Sequence, residues 1–452
     1  MRAPVRVGLL GCGNVGSALA RLVDEHADLI TARAGVGIEI TRVAVRDLSK
    51  ARDVKVPSDR FTDDAASLVR DPDIDVVVET MGGVDPARAL ITDALRAGKP
   101  VITANKELIA RHGPELFTTA AEAGVDLLFE ASVAGGIPLM RPLRESLAGD
   151  RIHRVMGIVN GTTNFILTRM SEDRMSFVDA LAEAQRLGYA EPDPTADVEG
   201  ADAASKAAII ATIAFGARVA VDGVYREGIA GITEDDIDSA ASLGYAVKLL
   251  AVAEELDGGI SVRVHPAMIP VHHPLASVRD AFNAVFIEGE AVGELMLYGR
   301  GAGGGPTATA LSGDLIDAVK NLVSGAKGAT IGELVDRPML EIAETESQFY
   351  LLMEVADQPG VLAAIASEFG EHGVSIKSME QRGMPQSSDP EGGVRVSRSA
   401  SERAKGSDDD ARLVFVTHRA RESALSATLD SLRSVDSVHR VGSVLRVLGD
   451  ED

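Results

Sequence analysis

The stretch Val5-Arg-Val-Gly-Leu-Leu-Gly-Cys-Gly-Asn-Val-Gly-Ser-Ala-Leu-Ala-Arg-Leu-Val23 decides the fold of the first third of the chain. A short β-rich run of six residues leads straight into Gly11-Cys-Gly-Asn-Val-Gly16, and residues 17–23 continue at helical spacing. That order is the context a dinucleotide-binding turn requires. The first glycine permits a tight turn, the second lets backbone approach a pyrophosphate, and the third allows close helix–strand packing, with the helix N-terminus facing the phosphates. Gly11, Gly13, Asn14, Val15 and Gly16 are therefore candidate cofactor contacts, and Cys12 is a small residue within the turn.

Strand and helix patterns alternate onward at 38–46, 75–79, 86–97, 100–103, 107–123 and 125–129. This predicts an α/β, Rossmann-type doubly wound parallel sheet. Ligands of such sheets sit outside the carboxyl ends of the strands. Thr80, after the third strand, and Lys106, which closes Thr103-Ala-Asn-Lys106 after the fourth, stand at such ends and are candidates to face a nicotinamide. The second strand runs into Val45-Arg46-Asp47. An acid there takes the ribose 2′-hydroxyl of NAD, whereas Arg46 would take the 2′-phosphate of NADP. We read NADP; Asp47 leaves NAD open, and a plain solvent-exposed arginine is the competing account of Arg46.

At 452 residues the chain has room for two or three domains. Its 45 Lys and Arg against 68 Asp and Glu give a net charge of -23, which disfavours nucleic acid and anionic membrane as partners and favours a cytoplasmic protein. The single cysteine rules out an intramolecular disulfide. No apolar run approaches the ~18 residues of a membrane span.

A second informative run is Glu191-Pro-Asp-Pro-Thr-Ala-Asp-Val-Glu-Gly-Ala-Asp-Ala-Ala-Ser-Lys206, which leads charges into a helix predicted to reach residue 215. That helix is apolar nearly all round, hence interior. At about 100° per residue, Asp202, Lys206, Ile209 and Ile213 fall within roughly 60° of one another. On a solvated face such an Asp–Lys pair is worth about 0.3–0.5 kcal/mol and means little. Among core isoleucines, Lys206 reads instead as a proton donor to a carbonyl, with Glu191, Asp197 and Asp202 as acids able to hold a cationic substrate.

Two further glycine-rich segments allow two accounts each. Glu130-Ala-Ser-Val-Ala-Gly-Gly-Ile-Pro138 is a hinge or a loop that offers carbonyls and a carboxylate to a hard cation, and Gly299-Arg-Gly-Ala-Gly-Gly-Gly-Pro306 is a flexible turn or a second cofactor-facing entry to a helix. Strands at 151–159, 260–268, 284–288 and 294–298 suggest an antiparallel sheet covered by helices on one face. His265, His272 and His273 lack zinc-site spacing and are read as structural. From residue 348 the order βαββαβ predicts a ferredoxin-like unit, interrupted by a Ser-, Gly-, Arg- and Asp-rich insertion at 385–410 read as mobile. Its Asp357-Gln-Pro-Gly turn leaves N–H groups for a small carboxylate ligand; a plain dimerisation module is the other account. The domains are thus 1–135, nucleotide-binding; 136–330, an α+β catalytic and oligomerisation domain; 331–347, a linker; and 348–452, a regulatory unit.

Taken in order, Gly11-Cys-Gly-Asn-Val-Gly16, Thr103-Ala-Asn-Lys106, Glu130 to Pro138, Asn160-Gly-Thr-Thr-Asn164, Gly188-Tyr-Ala-Glu-Pro-Asp-Pro194 and Lys206 resemble homoserine dehydrogenases over essentially the whole chain. The resemblance implies NAD(P)H-dependent reduction of L-aspartate 4-semialdehyde to L-homoserine, on the route to threonine, isoleucine and methionine. It implies Lys206 as proton donor, Asp202 and Glu191 as substrate-binding acids, and Lys106 as a helper at the nicotinamide. Gly188, Gly301 and Gly303 would approach the cofactor, and Glu130 would join the carbonyls of Val133, Gly135 and Ile137 around a sodium ion. The C-terminal unit is similar to an ACT domain, with L-threonine the implied inhibitor. No kinase segment precedes the dehydrogenase pattern, so the chain resembles the monofunctional form, and a homodimer or homotetramer is expected. A dehydrogenase for another amino-acid carbonyl and a catalytically silent amino-acid sensor stay open; charges on a buried helix argue against silence.

Overall fold

The computed structural model describes residues 3–383 and 410–449. Its first sheet is parallel throughout, in the order Phe61–Thr62, Ile38–Ala44, Val5–Leu10, Val76–Glu79, Val101–Thr103, Leu127–Leu128. The winding direction reverses between Val5–Leu10 and Val76–Glu79, so the crevice opens between Gly11 and Thr80. Burial explains the valine run: Val76, Val77 and Val78 are fully buried between layers of helices. The helix Gly304–Ser324, far away in sequence, returns to this domain and inserts Ala308, Leu311, Leu315 and Val319 into the core around Val7, Leu9 and Leu19. Part of what the sequence assigns to 136–330 therefore completes the nucleotide fold.

The second sheet is longer than either predicted unit. Along its path run Gly293–Arg300, Phe282–Gly289, Ile152–Ile158, Tyr245–Leu256, Gly259–Pro270, Val438–Val447, Glu346–Ala356, Asp410–Thr417 and Ile376–Gly383. Its last four strands have the ferredoxin-like order, and helices Val361–Glu371 and Glu422–Leu432 complete the βαββαβ unit. That unit is fused to the middle domain by a short parallel pairing, Ala267 with Arg446 and Met268 with Val447, and by Leu448 N donating to Met268 O at 2.9 Å. The helices Gly161–Glu172 and Ala201–Phe215 pack on one face of the middle section. The other face is not open: every residue of Gly259–Pro270 is buried, and Leu275 and Val278 cover it.

The strand Tyr245–Leu256 has no counterpart in the sequence reading. Its Ala, Leu, Lys and Glu favour helix, but Asp257-Gly258, with Gly258 at φ 97°, closes a tight hairpin onto Gly259–Pro270, and twelve residue pairs follow in register. The segment read as a linker, 331–347, is stitched to the middle domain through Val335 N to Gly216 O and Ile260 N to Pro338 O, both 2.9 Å. Of the insertion at 385–410, only Asp410 is among the described residues, and it begins a strand.

Candidate functional site

A cleft of about 1100 Å³ lies between the first domain and the helix Ala201–Phe215. The helix starts on Gly200, whose φ of 80° places it in the left-handed region, and buries Ala203, Ala204, Ala207, Ala208, Ile209 and Ile210. One turn apart on its cleft side stand Asp202 and Lys206. The Lys206 ammonium donates to Asp202 Oδ2 and to the Val159 carbonyl, both at 2.7 Å. Two of its three protons are thereby committed, and the third has no partner among the described residues and can meet a ligand.

The first domain supplies the opposing charge. Asn105 caps the helix Lys106–Ala123 by accepting from Leu108 N, which makes Lys106 its first residue. A lysine at a helix N-terminus opposes the helix dipole. The Lys106 ammonium is compensated by Asp202 Oδ1 at 2.8 Å. Asp202 is thus gripped by a lysine on each oxygen, and Asn160 Nδ2 donates to its Oδ2 at 2.9 Å and to Asp197 Oδ1 at 2.7 Å. Burial works to raise the Asp202 carboxyl, but Lys206 and Lys106 outweigh it and hold it well below the usual carboxylate range. For Lys106, burial pulls down, Asp202 pulls up more strongly, and the net shift is upward. Asp197 is raised, first by burial and further by the charge of Asp202.

Glu79 fixes the first-domain wall. It is fully buried at the carboxyl end of its strand, accepts from Met81 N at 2.6 Å and Gly82 N at 3.0 Å, and takes the Thr103 hydroxyl at 2.6 Å. Asn105 Nδ2 donates to Gly83 O at 2.6 Å. These bonds join the loop after Thr80 to the loop that presents Lys106.

The cofactor-side residues converge. Gly11 has φ 94°, and a Cβ on Gly16 would lie 2.3 Å from Gly11 O, so neither position accepts a side chain. A Cβ on Gly13 would meet nothing, which fits a glycine needed for close approach from outside. Thr80 Oγ1 donates within this turn, 2.9 Å from Gly11 O, and so braces it. The second glycine segment is built, not slack. Gly135, at φ 54°, lies against Gly301 O, a Cβ on Gly301 would strike the Asn283 side chain, and one on Gly304 would come 2.8 Å from Asn14 Oδ1. The helices starting at Asn14 and Gly304 therefore bring two N-termini together, the arrangement that suits a pyrophosphate. Gly188, Glu191, Gly301 and Gly303 line the same cleft. Arg46 is exposed beyond the second strand, while Asp47 beside it is occupied by Ser49 N at 2.9 Å and the Ser49 hydroxyl at 2.6 Å.

Two expectations change in detail. Asp202 spends its oxygens on Lys106, Lys206 and Asn160, so the acids freer to meet a cationic ligand are Glu191 and Asp197. The Glu130 carboxylate accepts from Leu139 N, from Met140 N at 2.9 Å and from Arg141 N at 2.8 Å. It caps the turn that follows and does not face a cation. The carbonyls of Val133, Gly135 and Ile137 are not occupied by hydrogen bonds among the described residues, so the main chain of this loop is what fits a hard cation. His265 is fully buried and bonds Pro266 O at 3.0 Å, and His273 accepts from Leu275 N, both as parts of the scaffold. Asn160, Glu79 and the Val159 carbonyl were not singled out as site residues from sequence, although Asn160 opens a capped helix whose pattern is visible there.

Comparison with known proteins agrees along the whole chain. Residues 11–130 match the family described as "Homoserine dehydrogenase, NAD binding domain", 138–316 "Homoserine dehydrogenase", and 349–437 "ACT domain". A homoserine dehydrogenase of Corynebacterium glutamicum is 48% identical over 448 residues, which is 98% of this chain and 95% of that one. A crystal structure of a homoserine dehydrogenase from Thiobacillus denitrificans superposes with a TM-score of 0.89 at 39% identity, covering 98% of both chains. A hyperthermophilic archaeal homoserine dehydrogenase in complex with NADPH gives a TM-score of 0.59 at 29% identity, over 70% of this chain and 97% of that one.

Proposed function

This chain belongs to the homoserine dehydrogenase family, an oxidoreductase family with a nicotinamide-binding domain, and from that premise we propose how its residues divide the work. The reaction is the reversible reduction of L-aspartate 4-semialdehyde to L-homoserine. The observation that carries the assignment is the nearly buried Lys206, held by Asp202 and Val159 O with one proton left over, on the wall of the cleft that the glycine turn also serves.

The nicotinamide, when bound, supplies or accepts the hydride at the carbonyl carbon. Everything else falls to the chain. The developing alkoxide takes a proton from Lys206 Nζ, and in the oxidation direction the neutral amine takes the hydroxyl proton back. Asp202 holds both lysine side chains in place in the absence of substrate. Glu191 and Asp197 attract the substrate ammonium, and Lys106, half-exposed at the mouth, steadies the ring edge or the carbonyl oxygen. The two helix N-termini take the pyrophosphate. Arg46, with Asp47 already engaged, favours NADP over NAD. The carbonyls of Val133, Gly135 and Ile137, in the loop that Glu130 opens, would hold a sodium ion. The C-terminal unit regulates, with L-threonine as inhibitor, and the molecule works as a homodimer or homotetramer in the cytoplasm on a route that serves threonine, isoleucine and methionine.

The test is homoserine-dependent reduction of NADP and, separately, of NAD by the purified chain, with and without L-threonine. We expect turnover with both and a higher kcat/KM with NADP. A folded protein that binds either cofactor yet oxidises no homoserine would overturn the assignment.

A further inference from the structure

A second cavity, of about 550 Å³, lies where the C-terminal unit meets the middle domain. One wall is the segment from Tyr225 to Ile232; the other is the last strand with the helix Glu422–Leu432. Its charges are arranged for a zwitterion. Arg446, 9% exposed, is shared between Glu227 Oε2 at 2.9 Å and Glu422 Oε2 at 3.2 Å, with its guanidinium over the Tyr225 ring. Two acids against one arginine leave a negative surplus suited to an ammonium. Arg433 and Arg440 line the same cavity and, among the described residues, pair with the exposed Asp430 at 2.8 Å and with Glu354 at 3.6 Å respectively, which leaves guanidinium capacity for a carboxylate. Ile232, Phe349, Leu425 and Leu429 offer apolar surface to a small side chain.

The wall of this cavity is also a wall of the catalytic cleft. Side chains alternate along a strand. Tyr225 and Glu227 line the junction cavity, and Arg226 between them lines the cleft with Val224 and Asp222. Just beyond, Ile229 N donates to Val198 O at 2.8 Å, and Gly228 is so close that a Cβ would stand 2.2 Å from that oxygen. Val198 sits between Asp197 and the helix that carries Asp202. Close-packed backbone therefore links the segment that carries Glu227 to the segment that carries both acids.

We propose that this junction cavity is the effector site, that it takes an α-amino acid with a small side chain, and that the segment from Tyr225 to Ile229 carries its occupancy to the catalytic cleft. This rests on the regulatory reading of the C-terminal unit. L-Threonine is the probe, with calorimetric binding and homoserine oxidation by the full chain as readouts. Gly231 has no positive φ, and a Cβ there would meet open space, so Gly231→Met fills the cavity from one wall without backbone strain; Ser426→Phe fills it from the other. Each should raise the dissociation and inhibition constants for threonine at least tenfold while basal turnover stays within twofold, and Asp357→Ala, in the other candidate turn, should change neither. Wild-type binding retained in both filled variants and lost in Asp357→Ala overturns the location and leaves the regulatory reading standing. A wild-type chain that neither binds nor responds to threonine or any other proteinogenic amino acid overturns both.

Discussion

The Asp202 cluster and the Arg446 cluster invert one another. In the first, one carboxylate lies between two lysines; in the second, one arginine lies between two glutamates. Solvation does not separate them: Asp202, Lys206 and Lys106 side chains are 9%, 12% and 39% exposed, and Arg446, Glu422 and Glu227 are 9%, 13% and 39% exposed. The difference is in what the surplus charge can do. A lysine ammonium can release a proton, so the surplus of the first cluster is a reagent. An arginine stays protonated, so the second cluster can hold two parts of the sheet together and recognise charge, but cannot trade protons. Burial alone therefore does not mark chemistry; the identity of the titratable partner does.

The largest expected effect separates the clusters on that point. Lys206→Ala removes the transferable proton and should lower kcat by about 10²–10⁴, the usual worth of a positioned general acid, while NADP affinity from fluorescence titration stays close to wild type. Near-normal kcat would remove Lys206 from the mechanism and the contrast with it. Next come the central residues. Asp202→Asn strands two ammoniums and Arg446→Met strands two carboxylates, and each should cost about 3–5 kcal/mol in denaturant unfolding at neutral pH. Their pH dependences should differ. Asp202 has a folded pKa below its unfolded value, so its contribution is present above about pH 4 and is lost as pH falls through the folded value. Lys106, shifted upward, contributes fully below the ordinary lysine pKa, and that contribution is lost as pH rises through its folded value. The cost of Asp202→Asn should therefore shrink at strongly alkaline pH while that of Arg446→Met persists. Equal alkaline behaviour would break the comparison.

The two clusters were not equally legible. Asp202 and Lys206 stand one turn apart on a helix whose other positions are mostly Ala and Ile, so periodicity alone exposes them. Arg446 lies in an ordinary strand, and its partners come from segments 24 and 219 residues away in sequence. Nothing local marks it. The same reason hid the joining of the middle and C-terminal strands into one sheet, which rests on two backbone pairs. Glu79 reads as the end of a valine strand, and its role exists only because Thr103 and the loop at Met81 fold onto it. Tyr245–Leu256 is hard to read for a different reason: many of its residue types favour helix, and only the hairpin signal Asp257-Gly258 opposes them. The nucleotide fold was readable because strand, glycines and helix are contiguous, yet its last helix, Gly304–Ser324, belongs to it only through packing.

The smallest effect tests whether the first cluster is a trio or a quartet. Asp197 shares Asn160 with Asp202 and would balance the surplus charge of the two lysines. Its carboxyl is raised by burial and by the Asp202 charge, so it takes up a proton at higher pH than an ordinary aspartate. If it helps to attract the substrate ammonium, the wild-type KM for homoserine should climb on acidification before the usual aspartate range is reached. Asp197→Asn should raise KM about fivefold at neutral pH, the worth of roughly 1 kcal/mol from a partly solvated charge pair, and should flatten that acid limb while leaving kcat near wild type. A KM profile unchanged in both height and slope would confine the cluster to Asp202 and its lysines, and would leave Glu191 as the acid that meets the substrate.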